Sequence, residues 1–246
     1  MKLILNGALG RMGRAVAGLA ADRGHEIVAG VDVAAGEAGF PVYADWAECP
    51  AADAVIDFSN PAALQAELSY VTAHKLPLVL CTTGLSDEQI AAVHKAAETV
   101  PVFFSSNMSL GVAVLAALTK KAAAVLGDTF DIEIVEMHHN QKLDAPSGTA
   151  LTLADAAKAG LSYEPEYTYD RHTRRQKRDK KEIGIASLRG GTVVGEHSVY
   201  FAGEQEVLTL SHSAGSRSVF ASGALAAAAF VVGKPAGMYS MEDMLA

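Results

Sequence analysis

The sequence predicts an α/β protein: a parallel sheet built from βαβ units, joined to a second α+β domain on a mixed sheet. Three observations carry this. Short apolar runs in the first hundred or so residues alternate with helical stretches of roughly 10–15 residues. After Asn107 that alternation stops, and strands separated by glycine-rich turns take over. An Ala- and Val-rich helix over Ala221–Val232 needs a surface to cover, and is expected to return to the first domain. The domains are therefore placed at residues 1–108 with 219–246, and at residues 109–218.

Taken in order, Lys2–Asn6 is an apolar run ended by Gly7, and the stretch after it puts Met12, Val16 and Leu19 on one helical face, with Gly24 as its stop. Glu26–Asp32 reads as a second strand and Ala54–Ser59 as a third. Asn60–Pro61 starts a helix, because proline at the first helical position gives up an N–H that has no partner there anyway. Leu78–Cys81 is a fourth strand. Ser86 and Gln89 have the spacing of a capping box for the next helix, and Val100–Ser105 is a fifth strand. Leu110–Leu126 is a helix closed by Gly127. Asp131–His138 alternates apolar and charged residues, as a strand does. Ser147–Ala159 is helical, and Glu182–Leu188, Val193–Val194, Ser198–Phe201 and Val207–Ser211 read as strands.

Composition narrows the function classes. The chain has 246 residues, 50% hydrophobic and 20% charged, with a formal net charge of −8. That balance supports a globular fold and excludes a general polyanion binder. No apolar stretch reaches the ~18 residues of a membrane span, and Met1–Lys2 runs straight into a strand, so no secretory leader is expected. A cytoplasmic setting is the expectation, with neither nucleic acid nor membrane as partner. The two cysteines, Cys49 and Cys81, have no zinc-like spacing and are expected to be free. The basic run Arg171–Lys181 lacks interleaved aromatics, which favours a solvated loop, one able to attract an anionic substrate, over a nucleic-acid site.

Two segments carry chemistry. Gly7-Ala8-Leu9-Gly10-Arg11-Met12-Gly13 follows a strand and opens a helix, and Asp32 ends the next strand. Glycines there admit a pyrophosphate close to the backbone, the helix N-terminus offers N–H groups and a positive dipole end, and the carboxylate suits a ribose hydroxyl. A tight turn without ligand is the plainer alternative. With no Arg or Lys after Asp32, a free 2′-hydroxyl is favoured over a 2′-phosphate, hence NADH, while Arg11 and Arg14 keep NADPH open. Cys81-Thr82-Thr83-Gly84 and Ser105-Ser106-Asn107-Met108 end two further strands, on the edge where a doubly wound sheet binds ligands.

The second segment is Glu136-Met-His138-His139-Asn-Gln-Lys142-Leu-Asp144-Ala-Pro-Ser147-Gly148-Thr149-Ala150. Imidazole titrates near neutral pH, lysine binds anions or donates a proton, and Gly148 and Thr149 open a helix whose N–H groups suit a carboxylate. A metal is disfavoured, since adjacent histidines on a strand point to opposite faces. The plainer alternative is a polar strand end before an N-capped helix. His197 and His212, within strands, read as structural.

This segment resembles the 4-hydroxy-tetrahydrodipicolinate reductases (dihydrodipicolinate reductases), whose pattern E-x-H-H-x-x-K-x-D-A-P-S-G-T-A it matches at every fixed position. The glycine loop, Asp57-Phe-Ser59, Thr82-Thr-Gly84, Asn107, Arg189-Gly-Gly191, Val194-Gly-Glu-His197, Ser216-Arg217 and Gly237–Met244 follow in the family's order. The resemblance implies a Rossmann-type nucleotide domain, a mixed-sheet substrate domain and a homotetramer. It implies NAD(P)H-dependent reduction of a small dicarboxylate to tetrahydrodipicolinate in diaminopimelate and lysine biosynthesis, in a cleft that closes on both ligands. His138 and Lys142 would carry protons, and His139, Gly148 and Thr149 would hold substrate carboxylates. Gly7 to Met12, Asp32, Cys81, Thr82, Thr83, Ser105, Ser106, Asn107 and Met108 would line the cofactor site. Cys81 stands where the family usually has glycine, and is expected to crowd the nicotinamide loop. The rival readings are another Rossmann oxidoreductase acting on a small carboxylate, and a non-catalytic NAD(H)-binding module.

Overall fold

The computed structural model describes residues 1–245. The chain divides into two compact units, Met1–Ser109 with Arg217–Ala246, and Leu110–Ser216.

The first unit begins with strand β1 (Lys2–Asn6), helix α1 (Arg11–Ala20) and strand β2 (Glu26–Val31). A 3-10 turn extends α1 as far as Gly24, whose left-handed backbone caps it. Two short strands, β3 (Gly36–Glu37) and β4 (Pro41–Tyr43), precede β5 (Ala54–Asp57). Helix α2 (Leu64–His74), β6 (Leu78–Leu80), α3 (Asp87–Ala97) and β7 (Pro101–Phe104) complete the run. Ser86 and Gln89 do form the capping box of α3. Proline 61 starts a 3-10 turn ahead of α2, with Asn60 capping it.

After the second unit, helix α6 (Ser218–Val231), strand β13 (Gly237–Tyr239) and helix α7 (Met241–Leu245) rejoin the first. The sheet order is β13-β7-β6-β5-β1-β2-β4-β3, parallel except for β3 against β4. Ile4, Val55, Leu78, Leu80 and Val102 meet Leu68, Val71 and Val93 of α2 and α3 on one face. On the other face α6 packs against α1, β5, β6 and β7. Its small residues permit that: Ala221, Ala224, Ala227 and Ala228 are fully buried. A Cβ at Gly223 would come within 1.6 Å of the Met108 carbonyl oxygen, so only glycine fits there. The strand order reverses between β1 and β5, which puts a ligand crevice outside the ends of those two strands.

The second unit comprises α4 (Leu110–Leu126), β8 (Asp131–His138), α5 (Gly148–Gly160), β9 (Glu166–Thr168), β10 (Glu182–Arg189), β11 (Gly195–Ala202) and β12 (Val207–Ala214). Its five-stranded sheet runs β12-β11-β8-β10-β9. β10 is parallel to β8 and β9, whereas β11 is antiparallel to β8 and β12, so the sheet is mixed, as expected. Val193–Val194 is not a strand: both residues lead into the continuous β11. Helices α4 and α5 pack together, and α5 covers β8, β10 and β11. Among the described residues no helix is long and apolar enough to cross a membrane.

Candidate active site

In the first unit the glycine loop is shaped by close backbone contacts. Gly7 has φ of +77°, and a Cβ on it would lie 2.6 Å from the Phe58 carbonyl oxygen. A Cβ on Gly13 would lie 2.3 Å from the Gly7 carbonyl oxygen, so α1 can start this close to β1 only with glycine there. Gly10 is the extended N-cap of α1, and Arg11 and Met12 form its first turn. Asp32 braces the loop: the Leu9 N–H donates to its Oδ2 and the Val33 N–H to its Oδ1, each at 2.8 Å. A cavity of about 520 Å³ opens here, lined by Gly7, Leu9, Gly10, Asp32, Phe58 and Ser59 among others. Ala8 and Arg14 line a neighbouring cavity of about 530 Å³. The cradle of backbone and the carboxylate at its rim fit a dinucleotide.

The wall formed by Phe58 and Ser59 rests on buried polar groups. The Asn6 side-chain amide donates to Ser59 Oγ and to Glu67 Oε1, both at 3.2 Å, and the Ser59 N–H donates to Asp57 Oδ1 at 2.9 Å. Asp57 and Glu67 are buried. Burial, with the Asp57 charge second, pushes the Glu67 carboxyl well above its usual range.

Of the other proposed cofactor contacts, Thr82 and Met108 are buried, while Thr83 and Ser106 are exposed. Ser105 and Asn107 close a turn in which Ser105 Oγ donates to the Asn107 carbonyl at 2.8 Å. Cys81 is a buried thiol, as expected, with Sγ 3.9 Å from the Val79 carbonyl oxygen. Burial, then Asp57 and Glu67, push that thiol up.

In the second unit, β8 sets the site by its period of two. Ile132, Ile134, Glu136 and His138 all face the buried side, so the inward row changes from apolar to ionisable at Glu136. The parallel register of β10 pairs Arg189 with His138, and the antiparallel register of β11 pairs His197 with Glu136. Glu136 is fully buried and ringed by donors. Arg189 Nη1 reaches Oε2 at 2.9 Å and Nη2 reaches Oε1 at 2.8 Å; the Ser147 N–H reaches Oε1 at 3.1 Å. His138 Nδ1 lies 2.6 Å from Oε2. Burial raises the Glu136 carboxyl, but hydrogen bonds from Arg189, His138, Ser187 and Ser147 outweigh it and hold the group at about 2.

An ionised carboxylate only accepts, so His138 carries a proton on Nδ1 and keeps Nε2 as its second ring nitrogen. A Cβ on Gly195 would sit only 3.0 Å from Nε2. The ring of His197 stands edge-on to His138, centroids 5.1 Å apart.

His139 turns the chain out of β8, and its carbonyl accepts the Lys142 N–H at 3.1 Å. Lys142 Nζ pairs with Asp144 Oδ1 at 2.8 Å, and that hydrogen bond is the first cause holding the Asp144 carboxyl below its usual range. Ser147 caps α5 by accepting the Ala150 N–H at 3.2 Å, which places Gly148 and Thr149 in the helix's first turn. His138, His139, Lys142, Gly148 and Thr149 thus belong to one strand end and the loop and helix start that follow it. Arginine 189 and His197, which the sequence reading gave no role, join them, as does Glu136. The Glu136–His138 spacing on a strand signals a shared face; nothing local signals the other two.

The basic run is a mostly exposed loop, as expected, and several of its cations are paired with carboxylates of the sheet. Arg171 pairs with Glu133 at 2.7 Å and with Glu182, and Arg174 reaches Glu182 at 3.0 Å. Arg178 binds Glu133 at 2.9 Å and Lys180 binds Asp131 at 3.2 Å. These charges strap the beginnings of β8 and β10, the end of the sheet away from His138.

Residues 1–108 match the family described as dihydrodipicolinate reductase, N-terminus, and residues 111–245 its C-terminus counterpart. A 4-hydroxy-tetrahydrodipicolinate reductase of Caldanaerobacter subterraneus subsp. tengcongensis is 51% identical over 247 residues, covering 100% of this chain and 98% of its own. One from Clostridium tetani is 47% identical over 251 residues, covering 100% and 97%. The structure of a dipicolinate-bound dihydrodipicolinate reductase from Paenisporosarcina sp. TG-14 matches with a TM-score of 0.82 at 22% identity, covering 100% of this chain and 99% of that one, a likeness of fold. With both halves matched and full-length relatives near half identical, the chain belongs to the dihydrodipicolinate reductase family.

Proposed function

We propose that this chain catalyses the NAD(P)H-dependent reduction of 4-hydroxy-tetrahydrodipicolinate, by way of dihydrodipicolinate, to tetrahydrodipicolinate in diaminopimelate and lysine biosynthesis. The observation that carries the reading is His138, held through Nδ1 by a buried carboxylate at the strand end that leads into Lys142 and the start of α5. When bound, a reduced nicotinamide supplies the hydride. The substrate carbon skeleton then needs a proton, which His138 donates, with Lys142 as a second donor. His139, Lys142 and the N–H groups of Gly148 and Thr149 hold the two carboxylates, and the positive end of α5 favours them.

The first unit, residues 1–108 with the returning C-terminal segment, binds the cofactor, and residues 109–218 bind the substrate. The glycine loop takes the pyrophosphate, Asp32 takes the ribose hydroxyls, and the turns at residues 81–83 and 105–108 line the nicotinamide. NADH is favoured because Asp32 repels a 2′-phosphate; Arg14, lining the adjoining cavity, keeps NADPH as the second cofactor. A homotetramer in the cytoplasm is part of the proposal, and the exposed Leu188, Val207 and Leu208 of the second unit support self-association.

The test couples purified protein to the enzyme that condenses pyruvate with aspartate semialdehyde and follows cofactor absorbance. Substrate-dependent oxidation, faster with NADH, is expected. Folded protein that binds NADH yet oxidises neither cofactor would overturn the reading.

A further inference from the structure

We propose that Arg189 is the positioning residue that ties the two proton-bearing side chains together, fixing Glu136 behind His138 and the backbone at Asp144 beside Lys142. This rests on the roles given above to His138 and Lys142. All four Nη donor directions are occupied by protein acceptors. Nη1 bonds Glu136 Oε2 at 2.9 Å and the Leu188 carbonyl at 2.6 Å; Nη2 bonds Glu136 Oε1 at 2.8 Å and the Asp144 carbonyl at 2.6 Å. A guanidinium committed in this way acts through its neighbours, not on the substrate.

Its chemical consequence follows from charge. Glu136 is fully buried, and an unpaired carboxylate there would be costly. Without Arg189 the nearest compensating cation would be a protonated His138, 2.6 Å away, and the carboxylate would then retain the proton that catalysis must release. With the guanidinium in place Glu136 stays ionised whichever state His138 is in. The imidazole is oriented by an anion that does not need its charge. The same guanidinium fixes the Asp144 backbone, whose side chain pairs with Lys142 at 2.8 Å.

The charged and titratable groups around His138 are Glu136 on its own strand, Arg189 from β10, His197 from β11, and Lys142 and Asp144 from the loop after β8. His212 of β12 lies beyond His197, its partner in register. Removing the cation and removing the anion must therefore act in opposite directions. If protonated His138 is the acid, Arg189→Gln moves the alkaline limb of the kcat/KM profile to higher pH, and Glu136→Gln moves it to lower pH.

The experiment measures both profiles in the full-length protein, together with substrate and NADH KM. Arg189→Gln is expected to lower kcat about 10–100-fold, the usual scale for losing a group that orients a functional histidine, with the NADH KM unchanged. Soluble guanidinium ion is expected to restore part of the turnover of Arg189→Ala. Limbs that stay fixed, or that move the same way in both variants, would reduce Arg189 to a structural role and overturn the proposal. Ring nitrogen NMR of the unaltered chain decides the matter should the variants not fold. Neutral His138 must carry its proton on Nδ1, and a proton on Nε2 would sink the proposal. That spectrum requires no turnover, so failure of the reductase reading and failure of this one are told apart.

Discussion

Ser147 Oγ lies 3.0 Å from His197 Nε2, and both side chains are buried. The Ser147 oxygen also accepts the Ala150 N–H, so His197 is built into the cap of α5. Burial, with the His138 charge second, lowers His197 to about 4 from 6.5. The unfolded chain therefore binds a proton here before the folded one does. The stabilising effect is intact above pH 6.5 and is lost as pH falls toward about 4, by about 3 kcal/mol at most. Urea unfolding of the chain and of His197→Gln across that window should show the steeper fall in the parent. Parallel curves would mean that His197 is protonated in the fold.

Gly195 and His138 support a prediction about access. A Cβ at Gly195 would stand 3.0 Å from His138 Nε2, the nitrogen proposed to carry the proton. Gly195 lacks a positive φ, so alanine is tolerated by the backbone. Gly195→Ala is expected to cut turnover at least tenfold while the melting temperature moves by only a few degrees. His138→Gln should lose roughly 10²–10⁴-fold in kcat, the range of a general acid. NADH affinity, measured by fluorescence quenching, should be unchanged in both. Full activity in Gly195→Ala would show that Nε2 is not the reacting nitrogen.

Some of this was legible in the sequence, and the reason differs by element. Helix α4 and strand β8 run over the expected residues because each has a local signal: a long Ala- and Leu-rich stretch closed by Gly127, and apolar residues interleaved with charged ones over eight residues. Strands β3, β4, β9 and β13 have two or three residues each, too few to show a period, and exist through their neighbours in the sheet. Val193–Val194 looked like a strand by composition, but the ladder begins only at Gly195. The site divides likewise. Glu136, His138, Lys142 and Ser147 lie within twelve residues of one another and can be read together. Arg189 and His197 arrive through the registers of β10 and β11, which are long-range properties. The pairing of Arg171 and Arg174 in the basic run depends on Glu133 and Glu182 in the same way.

Asp32 makes a prediction about cofactor choice that includes its structural role. Its oxygens accept the Leu9 and Val33 N–H groups at 2.8 Å, so the residue shapes the glycine loop as well as its charge. Asp32→Ser should raise kcat/KM with NADPH by roughly tenfold, the scale of one repulsion removed between exposed charges. It should also raise the KM for NADH, because the ribose contact and the brace on Leu9 weaken together. Initial rates with both cofactors test this. An unchanged NADPH to NADH ratio would move the selectivity elsewhere, with Arg14 the first residue to substitute.

Glu67 gives the last prediction, because its burial and its partner make opposite demands. It is fully buried and accepts from Asn6 at 3.2 Å, with Asp57 close enough to oppose a second negative charge. The direction of its shift favours the protonated acid, which is nearly the shape and polarity of a glutamine. Glu67→Gln should therefore keep the melting temperature within a few degrees and leave the NADH KM unchanged. Glu67→Ala removes the acceptor for Asn6 and leaves a void in the wall beneath Ser59. It should cost about 2–4 kcal/mol by the usual scale of buried truncation, and raise the NADH KM because Ser59 loses its support. Calorimetry and nucleotide titration of the two variants separate the outcomes. A Glu67→Gln protein as damaged as Glu67→Ala would mean that the carboxylate is ionised in the fold, held there by a cation that the present arrangement does not contain.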